Sequence, residues 1–457
     1  MENNSCAFSK KTKNLYLDAI SDYQNRKLVY DKMYDYCITG KNDSYRDYKH
    51  NTKRSNLKVR TNFIKKFIKE EVSYLLSNKI TYTSKSDNNE LISLLEHKTS
   101  HWDKNHDKNI LRNMLSYGSV FELYYTTEIN NETYFNAKIV TPRDGYLLED
   151  EYGKPIAFFR FFKKKFDKAG TQYIDIYTKD YIYHCDYNLN EVNKDCIINQ
   201  PLKPTPNIFG EVPVIKGRIS DYEEFDTLYN EIKDLVDAYQ TNLSDIVNEI
   251  SDFRLAYLIF KGCQIDTKNK DENGKTDLDY LKENGGMELG ENGDAKFLTK
   301  EINDTFVQNT LNALKKNMYE IANHIDTNEK MQSNLSGSAI RNRLIGLEQR
   351  VRDSEGSMKN LLMGRFYFLL KLFNKFDNTH YDYRDISAKF TLNIPQDDLV
   401  TAQMLSQLPD GLLSKDTGRG LLSCVSNTDR EAKKVEKEQE EESRKEIDLD
   451  KVVGNNG

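Results

Sequence analysis

One stretch of the sequence, residues 269–280, carries residue types that could bind a nucleotide or a metal ion. Gly274-Lys275-Thr276 resembles the end of a phosphate-binding loop, but Asn269 stands where that loop needs its first glycine. Tyr280 stands where a calcium loop needs its bidentate glutamate. An Asn-Gly turn in an exposed hairpin accounts for the stretch better, so we expect no ATPase and no calcium site. The calcium-type oxygen positions are Asn269, Asp271, Asn273, Gly274 and Asp277.

Histidine and cysteine patterns point to no catalytic or metal centre. His97 and His101 are four residues apart on a predicted helix, with His106 nearby, which would suit zinc only with a third ligand from elsewhere. No GxSxG elbow occurs, and no Cys/His pairing indicates an activated nucleophile. We predict no catalytic residue and no cofactor. The six cysteines are scattered and are interpreted as reduced thiols: Cys6, Cys37, Cys185, Cys196, Cys263 and Cys424.

The most one-sided charge pattern lies in residues 221–253, where apolar residues recur every three or four positions and predict a long helix. Lys233 is the only cation among its acidic residues. One interpretation is a solvated helix face. The other is the wall of a channel, because DNA carries one charge per ~1.7 Å and slides more easily past carboxylates than past lysines. The acids are Asp221, Glu223, Glu224, Asp226, Glu231, Asp234, Asp237, Asp245, Glu249 and Asp252.

The length, net charge and apolar runs of the whole chain limit which functions are possible. Its 457 residues can hold two to four domains. A net charge of -6 argues against tight binding of nucleic acid, which needs many Lys and Arg. The N-terminus lacks the pattern of a signal peptide, and no run of apolar residues is long enough for a membrane span.

The elements that must position these residues form an α+β pattern. Helices are predicted over about 43–76 and 90–117, followed by an antiparallel layer of strands from Ser119 onward. Three prolines in residues 201–206 are expected to end that layer. The run Lys163-Lys-Lys165 is interpreted as an edge-strand guard against aggregation, in preference to a nucleic-acid patch.

Beyond the long acidic helix the pattern predicts a small β module between helices. Strand-like RLAYLIFKG is followed by a polar excursion and by KFLTK. Helices are then expected over 303–323 and 336–376, the second bent at Gly346, Gly356 and Gly364. A short helical region after Pro395 leads to a tail that is either a charged helix or disordered.

The order of several motifs resembles the portal proteins of long-tailed phages that infect Gram-positive bacteria, over nearly the whole chain. No single motif is sufficient, and the family usually has a glycine near Ser77. The segments that carry the resemblance are Tyr36-Cys-Ile-Thr-Gly40, NFIKKFIKEEVSYLLSNKITY (62–82), YGSVFELYY (117–125), TPRD (141–144), FGEVPV (209–214), LVDAYQTNLSDIVNEISDFRLAYLIFKG (235–262), SNLSGSAIRNRLIGLEQRVRDSEGSMKNLL (333–362) and IPQDDLVTAQMLSQLPDGLLSKDTGRGLL (394–422).

The resemblance implies a portal-type α+β fold around a central tunnel. The wing would combine helices with an antiparallel sheet, the stem long helices, the clip a small β-containing module, and the crown helices. In chain order the parts would be wing 1–220, stem helix 221–253, clip 254–300, second stem helix 301–325, tunnel loop 326–337, wing long helix 338–390, crown 391–430 and charged tail 431–457, partly disordered.

The resemblance also implies partners and sites. The subunit would form a ring of twelve and conduct double-stranded DNA without sequence specificity, and would do no chemistry itself. The expected partners are the terminase large subunit, a head-completion adaptor, and the major capsid and scaffolding proteins, with assembly in the bacterial cytoplasm and a final place at the portal vertex of the virion. The tunnel-loop residues are Asn328, Glu329, Lys330, Gln332, Ser333 and Asn334; the channel carboxylates are Glu231, Asp234, Asp237, Asp245 and Glu249; the clip docking lysines are Lys261, Lys268, Lys270 and Lys275.

Some alternatives stay open at this point. The acidic helix and charged tail would also suit a non-viral helical oligomeric scaffold that forms dimers or filaments. Ser336 could simply be the N-cap of the following helix, which is compatible with a tunnel loop before it. The cluster of Arg341, Arg343, Arg350 and Arg352 is expected to form ion pairs between subunits in preference to contacting DNA.

Overall fold

The computed structural model describes most of the chain. The described residues are 8–50, 56–130, 132–166, 170, 172–189, 204–220, 225–253, 257–262, 267–284, 293–298, 304–326, 337–393, 398–409, 411–422, 425, 428 and 431–439.

Helices form the frame of the fold, and α9 is the longest of those described, with 40 residues. A helical stretch also covers 431–439, within the predicted tail. A π-helical turn follows the first helix at Asp35–Thr39 and a 3₁₀ turn covers Tyr383–Asp385. The α-helices are α1 (Lys10–Tyr34), α2 (Asp43–Asp47), α3 (Phe63–Leu76), α4 (Asn89–Thr99), α5 (His106–Tyr117), α6 (Leu228–Phe253), α7 (Asp277–Asn284), α8 (Asp304–Ile321), α9 (Gly337–Phe376), α10 (Asp398–Gln407) and α11 (Lys415–Gly420).

The described strands form antiparallel sheets. A five-stranded sheet has the order β4-β5-β6-β7-β8, a three-stranded sheet the order β3-β2-β9, and two pairs are β1-β12 and β10-β11. The strands are β1 (Thr81–Ser84), β2 (Ser119–Ile129), β3 (Glu132–Val140), β4 (Gly145–Glu149), β5 (Pro155–Lys163), β6 (Gln172–Tyr177), β7 (Tyr181–Asp186), β8 (Thr205–Pro206), β9 (Val214–Arg218), β10 (Tyr257–Lys261), β11 (Asp294–Leu298) and β12 (Ile386–Lys389).

Each face of the five-stranded sheet carries aromatic residues that pack against another part of the chain. Phe159 and Phe161 of β5 point to α1, where Tyr23 stacks on Phe161 with ring centroids 3.8 Å apart. Phe158, one residue away, faces Phe121 of the three-stranded sheet. The period-2 alternation of a strand therefore sends successive aromatic residues into two cores.

Helices α3, α5, α6, α8 and α9 pack around the main core together with the three-stranded sheet. Strand β9 and helix α9 approach each other closely because each has a glycine, with no side chain, at the contact. A Cβ on Gly364 would lie 2.5 Å from Ile215, and one on Gly217 would lie 2.7 Å from Leu361. Helix α9 continues through Gly364, where the absence of a side chain allows close packing, and bending at this glycine stays a prediction.

The N-terminal half differs from the sequence prediction in its helices. The pattern did not predict α1, whose buried face is built largely from tyrosines such as Tyr16, Tyr23 and Tyr30. The helix predicted over 43–76 is divided, because residues 56–62 are not helical and lie along α6. The helix predicted over 90–117 is two helices, α4 and α5.

The strand predictions were confirmed in type and wrong in extent. Strand β8 contains Pro206, so the prolines do not end the sheet layer; β8 pairs only with β7, at the edge where proline is tolerated. Strand β5 pairs with both β4 and β6, so the run from Lys163 does not guard an edge strand. In the second half, β10 and β11 match the predicted β module, while α7 within it was not predicted.

Candidate functional site: the stem helices and their junction with the wing

Helices α6 and α8 pack against each other as a pair. Leu228 and Ile232 near the start of α6, and Met318 near the end of α8, are buried in the main core. The antiparallel pair β10-β11 joins the two opposite ends. With 26 residues, α6 is about 39 Å long at ~1.5 Å per residue. Two paired helices thus run from the core to the small β module, as a stem and clip would.

One face of α6 is buried in steps of four residues along its whole length. The first three members of this stripe are apolar and belong to the core or to its edge, while the last three are polar. Each is at most 2% exposed, so the polar members need internal hydrogen-bond partners. The stripe consists of Leu228, Ile232, Val236, Gln240, Ser244 and Asn248.

The partner of the polar half is the extended backbone of residues 57–61. Side-chain oxygens of α6 accept hydrogen bonds from the backbone N–H groups of alternate residues of this segment. The spacing fits because four helical residues rise about 6 Å and two extended residues about 6.6 Å. The backbone N–H of Thr61 donates to Gln240 at 3.2 Å, that of Val59 to Ser244 at 3.1 Å, and that of Leu57 to Asn248 at 2.7 Å.

Two of the predicted channel carboxylates bind residues 36–48, in the predicted wing. Asp237 accepts hydrogen bonds from the hydroxyl of Tyr36 at 2.6 Å and from Asn42 at 3.0 Å. Asp245 accepts one from the hydroxyl of Tyr48 at 2.7 Å. Burial and the bond to Asp245 raise the pKa of Tyr48 to about 12. Both carboxylates therefore fasten the stem helix to residues 36–48.

A third predicted carboxylate, Glu231, belongs to an ion cluster that we call the junction cluster: Lys66, Glu70, Glu71, Glu231, His324 and Arg350. Arg350 of α9 makes a bidentate pair with Glu231 at 2.8 Å for both bonds, and its Nε donates to Glu71 of α3 at 2.9 Å. Glu71 is 1% exposed. Since each partner comes from a different helix, Arg350 ties α3, α6 and α9 together.

The junction cluster also holds the residues just after α8. The side chain of His324 is fully buried; its Nδ1 lies 2.9 Å from Glu70 and its Nε2 3.4 Å from Glu71. Burial opposes the protonated ring, but the bonds to both glutamates outweigh it and raise the pKa of His324. Its ring stacks on Phe67 at 4.4 Å. Nearby, Asp326 pairs with Lys315 at 2.5 Å.

The predicted tunnel loop begins at these residues, but its named members lie outside the described part of the chain. These are Asn328, Glu329, Lys330, Gln332, Ser333 and Asn334. Its two flanks are described: Asp326 with its salt bridge on one side and the start of α9 on the other. Contact of the loop with DNA stays a prediction.

The remaining two predicted channel carboxylates are Asp234, which is exposed, and Glu249, which is half-buried. The structure therefore does not bring the five predicted acids together as one surface. Glu231, Asp237 and Asp245 bind other parts of the same chain, and Asp234 lies free of the described wing contacts. That these residues line a DNA channel stays a prediction for all five.

The clip lysines occupy the β10-β11 module. Lys261, Lys268 and Lys270 are exposed. Lys275 forms an ion pair with Glu283 of α7. Their role in docking other proteins stays a prediction.

The calcium-like stretch is a closed turn. Asp271 accepts backbone N–H bonds from Asn273 and Lys275, both at 2.9 Å, and a bond from the hydroxyl of Tyr280 at 2.6 Å. The bond from Tyr280, followed by the backbone bonds, lowers the pKa of Asp271. Gly274 has a φ of +75°, as the turn requires. The carboxylate that a cation would need is thus engaged, and the turn leads into α7 rather than across a simple hairpin.

The other candidate metal and arginine groups also have intrachain partners. His101 contacts Asn136 at 3.1 Å and His106 contacts Glu122 at 2.7 Å. No group of metal-ligating side chains occurs within the described residues. Arg350 and Arg352 pair within the chain, Arg352 with Glu355 at 2.7 Å, and ion pairing of the arginine cluster between subunits stays a prediction. The side chains of Arg341 and Arg343 lie outside the description.

Sequence reasoning missed the residues that fasten the stem to the wing. The signal existed for α6, because its apolar four-residue spacing continues without a break into the polar half of the stripe. For the junction cluster there was none, since its members are far apart in the sequence. Within the described part of the chain, no helix has the length and apolar character that crossing a membrane requires.

Comparison with known proteins gives one family and several distant structures. The profile of the family described as "Phage portal protein, SPP1 Gp6-like" matches residues 18–445. A chain in the virion of a native gene transfer agent particle shares 10% identity, with a TM-score of 0.48, over 86% of this chain and 92% of that one. A chain in the neck of an empty particle of this kind also shares 10% identity with a TM-score of 0.48, and covers 78% of this chain and 88% of its own.

A third similar chain, from the neck of the native particle computed with C12 symmetry, has 10% identity and a TM-score of 0.44, with the same coverage of 78% and 88%. No curated protein matches. The family match extends over both large sheets and over helices α6, α8 and α9, and the family is structural rather than enzymatic. This chain belongs to the SPP1 Gp6-like family of phage portal proteins, and its function is that of a portal vertex subunit.

Proposed function

We propose that twelve copies of the chain close into a ring whose tunnel conducts double-stranded DNA during packaging and ejection, with no catalytic chemistry of their own. The observation that carries the proposal is the stem pair α6-α8, which runs from the core to the clip-like module and is fixed to the wing by hydrogen bonds and ion pairs. A channel through which DNA is driven by force needs helices that are held in fixed positions. Contacts in the ring would be heterologous and would close by rotation.

Exposed apolar residues on the stem support contacts between copies. Ile250 is 53% exposed and Phe306 is 68% exposed, and both lie at the clip-side ends of α6 and α8. Large apolar side chains of this kind are usual at protein interfaces. In a ring they would be covered by the neighbouring stem, whereas a monomer leaves them in water.

The negative charge of α6 suits passage of DNA rather than its retention. Asp234 is exposed, and Lys233 is the only cation between residues 228 and 253. Carboxylates do not bind phosphates, so the duplex would meet no strong electrostatic trap. Readout of base sequence is not expected, because the tunnel-loop residues would press on the backbone alone.

The clip is proposed to dock the terminase large subunit during filling and a head-completion adaptor afterwards. The exposure of Lys261, Lys268 and Lys270 supports this, since an acidic partner surface could pair with them. The wing would contact major capsid and scaffolding proteins. Assembly would take place in the bacterial cytoplasm, and the ring would end in the virion.

Electron microscopy of the purified full chain tests the ring directly. A closed ring of twelve with a hole wide enough for a duplex is expected, and monomers, dimers or filaments at all salt concentrations would overturn it. The variant Phe306→Asp should shift the population from rings to monomers. Leu28→Asp, at an equally exposed position of α1 (68%), is the control and should leave rings intact.

Packaging in a reconstituted system tests the acidic wall. Asp234→Lys is expected to slow DNA translocation, with a stronger effect at low salt because the added attraction is screened by ions. Lys268→Asp, in the clip, should instead weaken terminase docking without slowing translocation by motors that have already docked. The non-viral scaffold alternative is not favoured by the family match.

A further inference from the structure

A cavity of about 600 Å³ lies between the two larger sheets of the wing. One wall comes from β2 and β3, and the other from β5, β6 and β7. Its volume falls in the range of small-molecule sites, about 300–1,000 Å³. The described residues that line it lie between Leu123 and Pro213, and none of them belongs to the described part of the predicted stem or clip.

The floor of the cavity is made of transverse rows of residues on three neighbouring strands. Strand register places Arg160 directly opposite Asp175, and Asp175 directly opposite His184. An apolar row, Phe158 with Tyr177 and Ile182, lies on one side of this charged row. Two residues further along β5 is Phe162, opposite Tyr173. A charged row thus crosses an otherwise apolar and aromatic floor.

The charged row is a built arrangement. Asp175 is 4% exposed; one of its carboxylate oxygens lies 3.1 Å from Arg160 and the other 2.6 Å from Nδ1 of His184. Nε2 of His184 is buried and has no hydrogen-bond partner among the described residues. Buried polar atoms normally have partners, so this nitrogen is a point where a ligand would complete the site.

Among the described residues that line the cavity, cations outnumber carboxylates. Lys138 lies on β3 and Lys164 follows β5, so together with Arg160 the described lining has three cations and one carboxylate, Asp175. Arg160 lies over the ring of Phe162 at 4.6 Å, and Lys164 over that of Tyr173 at 4.7 Å. These two cations therefore lie against aromatic rings of the cavity, which limits their orientation.

We propose that this cavity binds a small anionic molecule through a phosphate or carboxylate group. Lys138, Lys164 and Arg160 would neutralise its charge, and Nε2 of His184 would supply a hydrogen-bond partner. Charge-assisted hydrogen bonds from Arg and Lys are the strong form of oxyanion recognition. Because the ring faces are already covered by cations, stacking of a nucleobase is not expected, and the ligand is defined by its oxyanion.

Titration calorimetry on the full chain tests the proposal, with inorganic phosphate and citrate as separate probes at constant ionic strength. Binding of one or both is expected, and the probe that binds more tightly identifies the oxyanion class. Loss of one charged contact, in Lys138→Gln or Lys164→Gln, should raise the Kd of the bound probe by about tenfold or more.

The matched control is Lys163→Gln, one residue from Lys164 but exposed and outside the cavity lining. It should bind as the unmodified chain does, and circular dichroism should show that all three variants are folded. An equal loss in Lys163→Gln would mean non-specific attraction and would overturn the site. Absence of binding by both probes at millimolar concentration would also overturn it.

Discussion

Two buried clusters of the same chemistry occur in different parts of the molecule. In the wing, Glu122 is bonded to Arg365 and His106. At the junction, Glu71 is bonded to Arg350 and His324. Helix α9 supplies both arginines, so a single 40-residue helix runs from one cluster to the other.

The clusters differ in depth and in what they join. Arg365 is 4% exposed in its side chain and lies over Trp102, and its partners Glu122 and Asp107 belong to the same layer of β2 and α5. The side chain of Arg350 is 20% exposed, and its partners lie on α3 and α6. We conclude that the cluster around Glu122, called the wing cluster because it lies in the predicted wing, joins α9 to one layer of β2 and α5, whereas the junction cluster joins α3 and α9 to α6, the predicted stem helix.

The largest effect is expected from Arg365→Met. It leaves the fully buried Glu122 without its main counter-charge, and removal of one partner from a buried pair costs about 3–5 kcal/mol. Burial alone would raise the pKa of Glu122, and Arg365 together with His106 holds it below the ordinary value. Chemical denaturation measures the loss. The double variant Arg365→Met/Glu122→Gln should recover part of it, and a loss below 1 kcal/mol in the single variant would contradict the assignment.

A smaller loss, about 2 kcal/mol, is expected from Arg350→Met, because water reaches Glu231 and because His324 still faces the buried Glu71. The location of the effect matters more than its size. Amide hydrogen exchange should rise in the first turns of α6 and in residues 322–326, while α5 and β2 stay protected. If exchange rises in the same segments as for Arg365→Met, the two clusters do not have separate roles.

The packing of α9 gives a matched pair of glycine substitutions. Gly364→Ala should destabilise by about 1 kcal/mol, because the new methyl group overlaps Ile215 and the gain in helix propensity offsets only part of that cost. Gly356→Ala adds its methyl group to open space on the same helix and should stabilise by a few tenths to about 1 kcal/mol. Thermal unfolding of both variants should show opposite signs; a gain in stability for Gly364→Ala would mean that its packing against β9 is not tight.

The sequence was informative where periodicity decides structure, and uninformative where distant residues meet. Strands β2, β3 and β5 could be predicted because apolar and aromatic residues mark them, and α6 because its apolar spacing is regular. Helix α1 was missed because its buried face relies on tyrosines, which are equally frequent in strands. The division of the 43–76 region could not be foreseen, since it depends on the polar stripe of α6 accepting the backbone N–H groups of residues 57–61.

The smallest effect concerns pH at the junction cluster. Three carboxylates, Glu70, Glu71 and Glu231, face two permanent cations, Lys66 and Arg350, so the charges balance only when His324 is protonated. The pKa of His324 is raised in the folded state, so its contribution to stability is complete below its ordinary value of 6.5 and is lost as the pH rises through the folded value. Stability should therefore fall on the alkaline side, by less than the change expected for Arg350→Met.

Denaturation midpoints measured across that range, at constant salt, check the sign. His324→Gln should lose the dependence, because glutamine can occupy the site but cannot gain the balancing charge. His380→Gln, at an exposed position, controls for the loss of any histidine. A midpoint that rises with pH in the unmodified chain would mean that His324 is neutral between the two glutamates. The junction would then carry uncompensated negative charge beside Arg350, and the wing and stem would be held together more weakly than the wing cluster holds α5 and β2.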